Sequence, residues 1–240
     1  MNGLLVRRDR GNLSVTFDLS PFVTDWEAAG KVFVAAIAER FREPLNPRPG
    51  DFSASSPTEL GEAWCKYRIF GGSSSIVLRA DSLALSFANI VNADYQIVVE
   101  VVRGTMERLL PALQGYARQS YMVASNYHVD VVDGQVDAYL AHHGSDHIGS
   151  TASKELTIAY RPTIGFTLRT RDGYRVFRRA IEQSEGLQNG LFIGDHTFVS
   201  MPTLTEFDEE LSWIEQTTEF ADRAAGIAYQ KDEVDDGASA

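Results

Sequence analysis

The chain has 240 residues, 44% apolar and 23% charged, with a formal net charge of −11. That length can bury a sizeable core as one large domain or as two small ones built into one body, without disulfides or metal. The single cysteine, Cys65, excludes an internal disulfide, and no apolar run approaches the length of a membrane span.

The acidity is uneven. Residues 206–240 carry eleven acidic side chains against Arg223 and Lys231, and the remainder, 22 acidic against 20 basic, is nearly neutral. The body of the protein is therefore not expected to repel nucleic acid.

In chain order, Leu4-Leu5-Val6 precedes Arg7, Arg8 and Arg10. A secretory signal places its charges before a longer apolar stretch, so a cytoplasmic protein is expected. Asn12 to Leu19 alternates, with Leu13, Val15, Phe17 and Leu19 on one face of a half-buried strand. Thr24-Asp25-Trp26-Glu27 matches a capping box, in which the Thr24 hydroxyl and the Glu27 carboxylate satisfy free N–H groups at a helix start. Trp26, Gly30, Phe33, Ile37 and Phe41 then recur at helical spacing. Glu43 to Pro57 holds Pro44, Pro47, Pro49, Gly50 and Pro57, which predicts an irregular loop.

Trp64 to Phe70, Ser75 to Arg79 and Leu83 to Phe87 predict an antiparallel meander, with a turn at Gly71-Gly72-Ser73. Cys65 lies in the first of these strands with no Cys-His motif around it, as a buried structural thiol would. Tyr95 to Leu113 has apolar residues at helical spacing, and Pro111 suits its end. Tyr121 to Val132 predicts a strand closed by Asp133-Gly134, followed by a short helix from Gln135 to Ala141 and a polar loop from His142 to Ser153. Glu155 to Tyr160, Thr163 to Thr170, Tyr174 to Arg179 and Leu191 to Val199 predict strands, although Val176 to Glu185 also carries a helical face. Thr203-x-x-Glu206 is a second capping box. It opens a helix whose stripe is Phe207, Leu211, Ile214, Thr218, Ala221, Ala225 and Ala228.

The expected fold class is α+β, with antiparallel sheet or sheets and long helices on one face. A strand-strand-helix layout appears twice, at about Trp64 to Leu113 and Glu155 to Tyr229. The expected organisation is an N-terminal α+β half at 1–113, a C-terminal α+β half at 114–229, and a disordered acidic tail at 230–240.

Four stretches invite a chemical reading. His142-His143-Gly144-Ser145-Asp146-His147 holds three imidazoles and a carboxylate, but its spacing fits none of the common zinc patterns. No metal site is assigned there, and a solvated loop is the alternative. An Asp172-Gly173 hairpin with a two-residue turn would set Arg171 opposite Tyr174 and Thr170 opposite Arg175. Arg169, Arg171, Tyr174 and Arg178 then share one face, suited to phosphate or single-stranded nucleic acid. Phe166, Leu168 and Phe177 share the other, core-like face with Arg175 and Arg179 at its rim. An ordinary solvent face, or ion pairs to the acidic C-terminal helix, is the alternative. Gly194-Asp195-His196 hints at acid–base chemistry, but with no paired nucleophile it predicts a turn. On the C-terminal helix, Trp213 and Phe220 lie off the buried stripe and are candidates for docking a protein, or for packing on neighbouring elements. Gly71-Gly72-Ser73-Ser74-Ser75 lacks the Lys-Ser/Thr of a phosphate-binding loop.

Tyr67-Arg68-Ile69-Phe70, Ile76-Val77-Leu78, Leu83-Ala84-Leu85-Ser86 and the aromatic Tyr95 at a helix start give Trp64 to Leu113 its pattern. That stretch, about a fifth of the chain, resembles a sporadically distributed bacterial family of uncharacterised cytoplasmic proteins. The resemblance implies a cytoplasmic bacterial α+β protein, an accessory to mobile or defence genes. It implies no activity and supplies no catalytic residues.

The leading expectation is a non-enzymatic interaction or assembly protein, acting as a homo-oligomer or beside a protein partner, with no cofactor. The alternatives are a nucleic-acid or nucleotide binder using the basic hairpin, and a metal-dependent hydrolase using the histidine loop.

Overall fold

In a computed structural model of the chain, the described residues are 4–20, 23–41, 45–55, 60–91, 94–113, 117–143, 164–200 and 207–230. Their strands are β1 (Leu4–Ser20), β2 (Phe52–Ser55), β3 (Trp64–Ile69), β4 (Ser74–Arg79), β5 (Ser82–Ile90), β6 (Ala117–Asp133), β7 (Ile164–Arg169), β8 (Arg175–Gln183), β9 (Gly190–Ser200) and β10 (Ile227–Tyr229). Four helices accompany them: α1 (Trp26–Arg40), α2 (Tyr95–Gly104), α3 (Val136–His143) and α4 (Phe207–Ala225). The helical path of α2 runs on through a π turn at Thr105–Leu109.

The strands make one mixed sheet, almost wholly antiparallel, in the order β2-β3-β4-β5-β1-β6-β9-β8-β7. β10 joins β1 in parallel, with Leu4, Leu5 and Val6 opposite Ile227, Ala228 and Tyr229. The two longest strands, β1 and β6, form the spine. From β1 outward the sheet runs β5, β4, β3, and from β6 outward it runs β9, β8, β7.

Register explains the core. Residues directly opposite in an antiparallel pair share a face. Val15 faces Leu85 on one side and Val123 on the other, and Phe17 faces Leu83 and Tyr121. The row continues outward, because Tyr121 faces Val199 and Val199 faces Arg175. Val15, Phe17, Leu83, Leu85, Tyr121 and Val199 are buried in one apolar cluster, joined by Phe33 and Ile37 of α1 and Val98 and Val101 of α2. A second cluster gathers Val6, Val129, Ile181 and Ile193 with Leu140 of α3 and Ala225 of α4.

Gly11 sits where the β1 pairing shifts register. A Cβ there would lie 3.0 Å from the Tyr127 Cβ and 3.1 Å from the Asn126 carbonyl oxygen. A side chain at this position would therefore require β6 to give way by a few tenths of an ångström.

Several expectations need correction. The α1 cap is Asp25, whose carboxylate accepts from the Ala28 N–H at 3.1 Å, so Thr24 lies outside the helix. An aspartate caps as well as threonine and its charge suits the helix dipole. The 43–57 segment is not wholly irregular, since β2 pairs with β3 there. The Leu4-Leu5-Val6 run begins β1. The last helix does not reach Ala228: Gly226 takes φ 68°, and Ile227–Tyr229 turn into a strand. The strand expected at Tyr174 to Arg179 is present and displaces the helical alternative for Val176 to Glu185, because β8 is paired by β7 and β9 and runs to Gln183. Gly194-Asp195-His196 lies inside β9 and is no turn. His142 and His143 end α3 and do not begin a loop.

The predicted Glu155 to Tyr160 strand, the Thr203-x-x-Glu206 box, residues 144–147 of the histidine motif and residues 231–240 of the tail lie outside the described residues. Cys65 is 4% exposed, and burial pushes its thiol pKa up. No helix among the described residues is long and apolar enough to cross a membrane.

Candidate functional site

A cavity of about 770 Å³ lies between the central strands and two helices. Alternation along β1 and β6 aims Leu13, Val15, Phe17, Tyr121 and Val123 into it. Helical spacing brings Val98 and Val102 from α2, Met106 from the π turn that continues it, and Leu211, Ile214 and Thr218 from α4. The α4 stripe read from the sequence is thus largely a cavity wall, which is why Leu211, Ile214 and Thr218 are only partly buried.

Polar groups bracket this apolar space. Beside Tyr121, the Glu210 carboxylate accepts from Arg175 Nη2 at 2.8 Å and from the Tyr121 hydroxyl. Glu210 is only 2% exposed, and the Arg175 guanidinium lies 5.5 Å from the Trp213 ring centre. The ion pair with Glu210 holds the Arg175 pKa above its usual value.

Towards the start of β1 the network is larger. Arg179 has a side chain 0% exposed, and its Nε and Nη2 donate to the two Asp195 oxygens at 2.7 Å each. Its Nη1 donates to Asp222 on α4, and Nη2 also reaches the Tyr127 hydroxyl at 3.4 Å. Burial opposes the charge on Arg179. The Asp195 hydrogen bonds, with Tyr127 and Asp222, more than offset that and raise its pKa. Burial lifts the Asp222 pKa despite the pull of Arg179. Burial also pushes the Tyr127 hydroxyl well above its usual pKa, and raises that of Tyr229. The two tyrosine hydroxyls are 3.2 Å apart.

Arg8 lines the same cavity. Its guanidinium lies 4.6 Å from the Tyr127 ring centre and 5.4 Å from that of Tyr229. Arg8 keeps an exposed surface, yet crowding by its neighbours works against its charge; Tyr229, through charge and a hydrogen bond, with Tyr127 and Asp222, holds its pKa above the usual value.

A smaller polar cavity of about 280 Å³ adjoins Gly11, Asn12 and Asn126, with His128 and Phe192 in its lining. His128 Nδ1 lies 2.8 Å from Ser184 Oγ. That hydroxyl already accepts from the Gly186 and Leu187 N–H groups at 3.1 and 3.0 Å. Its proton therefore points at Nδ1, which places the ring proton on Nε2. With both lone pairs engaged, Ser184 is a loop clasp and is badly disposed to act as a nucleophile.

The residues singled out by sequence are distributed as follows. Arg169 faces Val176 and Arg178 faces Thr167, so Arg169 and Arg178 share the exposed face of the β7–β8 hairpin. Arg178 lies 5.5 Å from the Phe198 ring centre. Arg171 and Tyr174 belong to the connecting turn, with Tyr174 47% exposed. Thr170 does sit opposite Arg175, donating its N–H to the Arg175 carbonyl at 3.1 Å, but Arg171 and Tyr174 do not pair: residues 171–174 form the turn, where Asp172 Oδ1 accepts from the Thr170 hydroxyl at 2.5 Å and the Tyr174 N–H at 3.0 Å. Arg179 is no rim residue but the most deeply held charge of the hairpin. Trp213 is partly buried and Phe220 is 51% exposed. Among the described residues no cluster of His, Cys, Asp and Glu is arranged to hold a metal.

Sequence reasoning missed Arg8, Tyr127 and Glu210 as parts of a site. For Asp195 a signal existed in the Gly-Asp-His run. For Arg179 the signal was a charge in register with Phe177 on a core-facing row.

No family model and no curated protein matches the chain. One solved structure, described as a nonspecific heme-binding cyclase that catalyses a cycloaddition in neoabyssomicin biosynthesis, aligns over 96% of this chain and 83% of its own, at 11% identity and a TM-score of 0.17. A likeness that slight brings neither fold nor function to this chain.

Proposed function

We propose that the chain binds a small molecule with a substantial apolar body in the cavity beneath α2 and α4. The observation that carries this is the cavity itself: about 770 Å³, walled by Leu, Val, Ile, Met and Phe side chains, with charged groups at defined places. Ligand sites typically occupy roughly 300–1,000 Å³ and combine apolar walls with a few placed polar groups. On this reading the helices act as a cover over the sheet, and the two ion-pair networks brace the ends of the space they enclose.

Titration of the full chain with the neutral apolar dye N-phenyl-1-naphthylamine tests it. Saturable binding is expected. Val123 stands mid-strand in β6 and faces the cavity, so Val123→Trp places an indole in the space. That change is expected to weaken dye binding about tenfold or more while the thermal midpoint stays near wild type. Absence of saturable dye binding in the wild type would remove the reading.

A second reading keeps the assembly role and is favoured by Phe220, 51% exposed on α4. A large exposed aromatic is a candidate anchor for a second copy of the chain. Light scattering on the eluting protein is expected to show a dimer that Phe220→Ser converts to monomer. A wild-type monomer at every accessible concentration would exclude it.

A further inference from the structure

We propose that Arg8 receives the anionic head of an aliphatic monocarboxylate whose chain fills the cavity, an assignment that rests on the cavity being a ligand site. Among the described residues Arg8 is the only cationic side chain in the lining. Its near neighbours are aromatic: Tyr127 at 4.6 Å and Tyr229 at 5.4 Å from ring centre to guanidinium carbon. Among the described residues no carboxylate lies within ion-pair distance of it; its hydrogen-bond partner is Tyr229, and Asp222, which shares Arg179 with Asp195, attracts it from further off.

Two of the four lining carboxylates, Asp195 and Glu210, are in the opposite condition. Asp195 is held by both ends of the Arg179 fork at 2.7 Å. Glu210 is held by Arg175 at 2.8 Å. Glu215 accepts from the Tyr95 hydroxyl at 3.2 Å. Glu219 also lines the cavity but is exposed. Asp195 and Glu210 thus each have a guanidinium against them, whereas Arg8 has no carboxylate in direct contact among the described residues. A guanidinium that lies over the Tyr127 ring and near that of Tyr229 is restrained before a ligand arrives. Arg8 is also exposed, so its planar fork is open to a carboxylate, which it can match with two parallel hydrogen bonds. A cationic amphiphile would leave Arg8 unanswered and set like charges together.

Competition with the bound neutral dye decides the matter, using dodecanoate, dodecanol and dodecylamine on the full chain. Dodecanoate is expected to displace the dye at about a tenfold lower concentration than dodecanol. Arg8→Gln is expected to erase that preference, and Arg8→Lys to retain part of it. Equal displacement by acid and alcohol in the wild type, a preference for the amine, or an acid preference that survives in Arg8→Gln would overturn the assignment while the cavity reading stands. No dye binding, or dye binding indifferent to Val123→Trp, would instead overturn the cavity reading. If Arg8→Gln does not fold, the wild-type comparison of acid, alcohol and amine decides alone.

Discussion

Arg179→Ala is expected to lower the unfolding free energy by about 3–5 kcal/mol. The reason is the asymmetry of buried ion pairs. An intact pair repays its desolvation with Coulomb attraction and hydrogen bonds, so its net worth is small. Removing one member leaves the other desolvated and unpaired, and that cost is large. Arg179 has no exposed side-chain surface and serves Asp195, Asp222 and Tyr127 at once. The alanine variant would strand Asp195, itself 5% exposed, and leave Asp222 without its cation. The pH dependence has a definite sign. In the variant Asp222, already lifted by burial, loses the cation that pulled its pKa down, so it binds its proton more tightly when folded than when unfolded. Stability then falls as pH rises through the carboxylate range and is partly recovered on acidification. Urea denaturation of both proteins at neutral and mildly acid pH measures this. A loss below about 1 kcal/mol at neutral pH would show that the network is not the brace its geometry implies.

Phe17→Ala is expected to cost about 3–5 kcal/mol by a different mechanism. Phe17 is 0% exposed in the central strand, opposite Leu83 and Tyr121, with its ring centre 5.9 Å from that of Tyr121. Truncation loses the transfer free energy of the ring and leaves space that strands paired on both sides cannot close. Because Phe17 also lines the cavity, the vacated volume joins it. The variant is therefore expected to melt earlier yet keep dye binding. Val123→Trp should show the reverse, with stability kept and binding lost. Denaturation and dye titration on the two variants separate packing from ligand space. Loss of dye binding in a folded Phe17→Ala protein would count against the cavity as the dye site.

Much of the secondary structure was legible because its causes are local. Leu13, Val15, Phe17 and Leu19 alternate, which can bury one face of a strand and of nothing else. Val98, Val102 and Met106 recur at helical spacing and Phe33 and Ile37 do likewise, so α1 and α2 were readable despite valines that favour strands. The boundaries were less so. Ile227–Tyr229 looked like the last turn of a helix because three residues carry no period. It is a strand only because the start of β1 offers an open edge beside it. Asp25 and Thr24 both carry capping oxygens, and only the first helical turn in place chose between them.

The candidate site was almost invisible in the sequence. Arg8 sat in a run of arginines beside Arg7 and Arg10, and Arg179 looked like a rim charge. The chain by itself determined an α+β composition, the strand and helix periods and an apolar content large enough for a core, because each follows from neighbours along the backbone. Tertiary structure alone decided the sheet order, the burial of Arg179 between Asp195 and Asp222, and the space enclosed by β1, β6, α2 and α4. Those depend on residues far apart in the chain: Asp195 and Asp222 find Arg179 only once β8, β9 and α4 are assembled, and a cavity belongs to none of the elements that surround it.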